Sequence, residues 1–99
     1  AYAEHGHRLL CRRWRGPGGE IDLVLEKGGE VVFVEVKKSK SHAQAAAHLS
    51  RAQIARLLCS AEAALGFFPN GSLTPMRFDV AMVDETGRID VITNALQAS

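Results

Sequence analysis

Nothing in this chain approaches the roughly 20 consecutive apolar residues that a membrane-crossing helix requires. The N-terminal stretch AYAEHGHRLLCRRWR also lacks the apolar segment of a secretory signal. The expectation is a cytoplasmic protein with no membrane span. Cysteine is scarce: Cys11 and Cys59 sit in apolar contexts and form no spaced framework, so they read as buried, reduced thiols rather than as a disulfide scaffold. His42 and His48 have no second soft ligand at metal-binding spacing and read as surface residues, and His5 and His7 carry less signal still. No internal repeat, low-complexity tract or compositional break divides the 99 residues, which suit one domain, 1–99, with a modest core.

What the chain does have is unevenly placed charge. A net charge of +1 conceals a basic cluster of Arg8, Arg12, Arg13 and Arg15, a second of Lys37, Lys38 and Lys40, and acids Asp79, Asp84, Glu85 and Asp90 gathered late. Arg12, Arg13, Arg15, Lys38 and Lys40 are candidates for contacts to a phosphate backbone, without sequence readout. Trp14, among these arginines, reads either as a core plug covered by their stems, the preferred reading, or as a stacking platform for a base.

Hydropathy periodicity outlines the elements. Residues 2–10 have mild helical character, and HRLLCRRW is either the end of that helix or a short strand. RGPGG marks a loop. A helix is predicted from Ser50 onward, with Ile54, Leu57, Leu58, Ala61 and Leu65 at helical spacing and Gly66 as its stop. MRFDVAMVD and RIDVIT alternate as two late strands around the turn ETG, with Arg77 and Asp79 forming a salt link on one face.

The informative segment is EIDLVLEKGGEVVFVEVKK. Gly28-Gly29 supplies the positive φ of a tight hairpin turn. If these are the two loop residues, Lys27 pairs with Glu30, Asp22 lies opposite Glu35, and Glu20 lies opposite Lys37. Ile21, Leu23, Leu25, Val32, Val34 and Val36 then make a continuous apolar face, predicted to be covered by the helix. Three carboxylates and one ammonium converge on the other face. Like charges at contact distance repel, and a divalent cation would neutralise them. Oxygen ligands select a hard ion, Mg²⁺ or Mn²⁺, held by Asp22, Glu35 and the backbone carbonyl of Val36, with Glu20 auxiliary. Lys37 would stabilise a hydroxide or the charge building on a phosphoryl oxygen. The plainer alternative is a set of cross-strand salt bridges with no function.

GEIDLV, a hairpin turn and VFVEVK together resemble the PD-(D/E)xK nuclease superfamily. The wider pattern LLCRRWR, GEIDLV, VFVEVK, RFDV and ITNAL is similar to the YraN-like family of proposed endonucleases over nearly the whole chain. The resemblance implies an α/β restriction-endonuclease-like fold, a mixed central sheet flanked by helices, and catalytic residues Asp22, Glu35 and Lys37. It also implies a role for Gln53 facing the site, although Ser50-Arg51-Ala52-Gln53 equally fits a capping box. Ile21 stands where the superfamily name has Pro, and Ser39 where relatives often carry Arg. The upstream Glu of the family's first helix has no evident equivalent in Glu4.

The expected function is Mg²⁺- or Mn²⁺-dependent cleavage of DNA, in repair or recombination. A Holliday-junction resolvase is the sharper variant, and it would act as a homodimer. The rivals are a nucleic-acid-binding module that keeps the fold without efficient catalysis, and a small interaction protein.

Overall fold

The computed structural model describes residues 2–38 and 51–94. Lys40, Ser39, His42, His48 and Ser50, and with Ser50 the capping box proposed for Gln53, lie outside them. A short 3₁₀ turn at Ala3–His5 leads into strand β1 (Arg8–Gly16), β2 (Gly19–Lys27), β3 (Glu30–Lys38), helix α1 (Arg51–Leu65), a 3₁₀ turn at Gly71–Leu73, β4 (Met76–Val83) and β5 (Ile89–Ile92). The HRLLCRRW segment is therefore strand. The five strands form one sheet in chain order. β3 and β4 run parallel and every other neighbour pair is antiparallel. The fold is α/β with a mixed sheet, and α1 is the one α-helix among the described residues.

Parallel pairing of β3 with β4 requires a crossover, and α1 lies within it. The short connections elsewhere are hairpins. Gly28 and Gly29 have φ of +58° and +83°, and Lys27 pairs with Glu30 across them as the two-glycine turn predicts. RGPGG is more compact than a loop: Gly16 pairs with Gly19, leaving Pro17 and Gly18 as a two-residue turn.

The helix covers a different face from the one predicted. Leu57, Ala61, Ala64 and Leu65 of α1 pack with Val24, Val31, Phe33 and Phe78, joined by Ile21. Leu25, Val32, Val34 and Ala81 form a second cluster on the opposite side, with Tyr2, Leu23, Val36 and Val91 against it. β3 is central and buried on both faces, so alternation along it does not say which face meets the helix. By its alternation with Val31 and Phe33, Glu35 lies on the α1 side. Phe33 and Phe78 stack there with ring centroids 6.0 Å apart.

The thiols also differ from expectation. Both cysteines are free, but Cys11 is only half-buried and Cys59 is exposed. Trp14 is half-buried against the α1-side cluster, in edge contact with Phe67, which is the packing role preferred for it.

Candidate metal and phosphate site at the open end of the hairpin

The β2–β3 ladder runs from Lys27↔Glu30 to Leu23↔Val34 and stops. Just past its last rung the Val36 N–H, which a continued ladder would give to a backbone carbonyl, donates instead to Asp22 Oδ2 at 2.7 Å. The Asp22 carboxylate thus substitutes for main chain where the strands part. Charge-assisted hydrogen bonds of this kind are among the stronger ones, so Asp22 is held in one orientation.

Glu35 stands beside it. Its residue is only 9% exposed, with Val80 of β4 as its neighbour on the other side. Burial, a hydrogen bond with Asp22 and the Asp22 charge push its carboxyl up to about 8 from an ordinary 4.5. Lys37 draws it down and Glu20 adds to the rise, so three charged neighbours act on Glu35. Lys37 is half-buried, two residues along the same strand. Asp22 and Lys37 therefore both act on Glu35, although the Asp22–Glu35 rung expected from the turn is absent from the β2–β3 ladder. Glu20 is corrected in part: no β2–β3 rung sets it opposite Lys37, and its partner is Arg15 of β1, 3.7 Å away.

A cavity of about 410 Å³ opens beside Asp22, lined by Arg12, Arg13, Leu23, Val36 and Lys38. Three of the proposed phosphate contacts thus border the same space as Asp22, whereas Glu35 and Lys37 are not among the residues that line it. Arg15 does not line it and is occupied by Glu20. Gln53 sits half-buried in the first turn of α1.

Among known proteins, the model of the uncharacterised protein family UPF0102 matches residues 1–94. The chain belongs to the UPF0102 family. It is 54% identical over 97 residues to a UPF0102 protein of Cereibacter sphaeroides, covering 98% of this chain and 83% of that relative. A UPF0102 protein of Ruegeria pomeroyi is 53% identical over 94 residues, covering 95% and 76% of the two chains. One of Dinoroseobacter shibae is 44% identical over 94 residues, covering 95% and 70%. Membership agrees with the YraN-like resemblance of the sequence.

Of two polar anchors in this UPF0102 chain, one escapes a reading of the sequence and the other is foreseen only in its Arg77–Asp79 link. Ser60, fully buried on α1, accepts the Gly18 N–H at 3.0 Å and donates to the Gly19 carbonyl at 2.8 Å, fastening the β1–β2 turn to the helix. A Cβ on Gly18 would collide with the Arg56 carbonyl, so the turn can approach that closely only as glycine. A serine within the apolar stripe formed by Leu57, Ala61 and Ala64 is the available signal. The second anchor is Asp79, fully buried, which accepts hydrogen bonds from Arg77 Nε at 2.9 Å, Tyr2 Oη at 2.9 Å and the Asn94 N–H at 3.1 Å. Burial opposes the Arg77 charge, but Asp79 outweighs it and raises the guanidinium pKa. Burial and Asp79 likewise raise the Tyr2 phenol. The salt link expected in RFDV is present, and the further bonds of Asp79 tie Tyr2 and Asn94 to β4. No helix among the described residues is long and apolar enough to cross a membrane.

Proposed function

We propose that this UPF0102 chain is a Mg²⁺- or Mn²⁺-dependent nuclease of the PD-(D/E)xK type that hydrolyses DNA phosphodiester bonds. The observation that carries this reading is the Asp22–Glu35 contact. Two carboxyl groups are held together where a strand ladder ends, and burial and the neighbouring Asp22 drive Glu35 toward its protonated form, more than Lys37 offsets. A cation would relieve that cost.

The donor set fits such an ion. Among the described residues no group of three or more His, Cys, Asp and Glu side chains is placed to hold a metal. Mg²⁺, however, needs only one or two carboxylates and keeps several waters. Asp22, Glu35 and the Val36 carbonyl would supply the protein's share, with Glu20 nearby. When bound, the cation would polarise a phosphoryl oxygen and make a coordinated water more acidic.

The chain's own groups do the rest. The Val36 N–H orients Asp22. Lys37 keeps a positive charge beside Glu35, where it would stabilise charge growing on phosphate oxygen. Arg12, Arg13 and Lys38 would hold the backbone phosphates that pass through the cavity. Branched recombination or repair intermediates are the proposed substrates, in the cytoplasm, and symmetric cutting of two strands would use a two-fold homodimer. The basic lining of the cavity also favours a second reading, a DNA-binding module with weak catalysis.

The test is cleavage of branched, flapped and single-stranded DNA with Mg²⁺, Mn²⁺ or a chelator. Metal-dependent cutting should fall at least about a hundredfold in Glu35→Ala. Cutting that persists in chelator, or is unchanged by the substitution, overturns the nuclease reading. Salt-sensitive binding without turnover selects the binding module.

A further inference from the structure

β1 and β2 break their alternation together. Cys11 and Trp14, three apart on β1, both pack against the α1-side cluster, as do Ile21 and Val24, three apart on β2. In a regular strand the members of each pair would face opposite sides. The register is the same on both sides of a gap: Cys11↔Val24 and Arg12↔Leu23 before it, Trp14↔Ile21 and Arg15↔Glu20 after it, with no rung between Arg13 and Asp22. Each strand therefore turns over at the same place, the gap between the Arg12↔Leu23 and Trp14↔Ile21 rungs into which Arg13 and Asp22 fall. The cavity carries the same mark: consecutive residues Arg12 and Arg13, and consecutive residues Asp22 and Leu23, border one space.

On β1 the turnover has a backbone cost. Arg13 has φ of +52°, and among the described residues other than glycine only Asn94 shares a positive φ. Gly, Asn or Asp enter this left-handed region more readily than Arg. The side chain differs from its neighbours too. Arg8 is bonded to Glu26 at 2.8 Å and Arg15 lies 3.7 Å from Glu20. Among the described residues no hydrogen bond or ion pair engages the Arg12 or Arg13 side chain. A strained backbone at a residue that lines a cavity and whose guanidinium is uncommitted is a pattern tied to function rather than to packing. With Arg12, Arg13 and Lys38 against a single carboxylate, the charged lining of that cavity suits an anion.

Resting on the DNA-cutting reading above, we infer that Arg13 is the residue that seats the DNA phosphate beside Asp22, its paired N–H groups gripping the non-bridging oxygens. The double turnover is the device that brings it there. Guanidinium geometry suits this task better than an ammonium, because its fork matches two phosphate oxygens at once.

Arg13→Gly relieves the strain and removes the guanidinium, Arg13→Lys keeps the charge, and Arg15→Ala removes an arginine that is already paired. Binding to a flapped duplex is measured in chelator over a range of salt, followed by thermal melting and then cleavage with Mn²⁺. Arg13→Gly should melt no lower than the parent and bind about tenfold more weakly, with its log–log salt slope smaller by about one. Arg13→Lys should recover part of the affinity, and Arg15→Ala should change it less than about threefold. Unchanged binding by Arg13→Gly, a clearly lower melting temperature, or no DNA binding by the parent overturns the assignment. Arg13-dependent binding without cleavage supports it while removing the nuclease reading. Cleavage with kcat/KM unchanged in Arg13→Gly removes the assignment and leaves the nuclease reading intact.

Discussion

The two ends of the β2–β3 hairpin use the same pair of strands for opposite purposes. At the closed end the ladder is regular over five rungs, and Val31, Val32, Phe33 and Val34 are each fully buried. At the open end the ladder has stopped, a side chain takes a backbone N–H, and charged groups share a half-buried space. Burial that stabilises at one end imposes a proton on Glu35 at the other. The site therefore depends on the closed end for its rigidity and on the interruption of the ladder for its chemistry.

The sharpest way to break the comparison is to hollow the closed end. Phe33 is fully buried between the helix and Phe78, and Phe33→Ala should cost about 3–5 kcal/mol. In a domain with roughly 5–15 kcal/mol to lose, the variant should sit close to unfolding. Denaturant titration reads this directly, and a loss below about 1 kcal/mol would mean that the closed end is not the anchor.

A smaller effect, opposite in character, is expected at the open end. Because the folded Glu35 carboxyl is raised to about 8 from 4.5, the folded state holds more protons than the unfolded one across that interval. The Glu35 contribution to stability should therefore be full below pH 4.5, fall as pH rises toward 8, and level off above it. Glu35→Gln should flatten the decline, which amounts to about 1–3 kcal/mol between pH 5 and 8. If Asp22 and Glu35 hold a cation, Mn²⁺ should raise the melting temperature more at pH 8 than at pH 5, since it then competes with fewer protons. A parent profile that rises over this range would contradict the Asp22–Glu35 contact.

How far the sequence foretold each end follows from the physics of its signals. Gly28-Gly29 sets a register from local backbone geometry alone, so the closed-end ladder could be read in advance, whereas Asp22 comes near Glu35 past the last rung and not as the ladder pair that register implied. The choice of face for α1 could not, because Val31 to Val34 are buried on both sides and their periodicity carries no direction. The turnover at Arg13 and Asp22 was equally hidden: LLCRRW shows no alternation to interrupt, and only three-dimensional packing puts Cys11 and Trp14 on one side. Glu20 was misjudged for the same reason, since the register was extended past the rung where the strands part. Ser60 and the Tyr2–Asp79 bond join distant parts of the chain, and such contacts leave little trace in a linear pattern.

The smallest expected effect tests whether the two ends are independent. Gly28 has φ of +58°, and a Cβ built there would meet no atom within 4 Å. Gly28→Ala therefore adds left-handed strain without a clash, partly offset by the lower entropy of the unfolded alanine chain. The net loss should be about 1 kcal/mol in denaturant titration. The turn lies at the far end of β2 from Asp22, so the pH dependence assigned to Glu35 should keep its position and slope. A parallel drop in stability at every pH would show that the closed end sets the stability while the open end sets its response to protons. A shift in the pH profile itself would mean that strain at the turn reaches the broken ladder, and that register rather than local burial governs the Asp22–Glu35 pair.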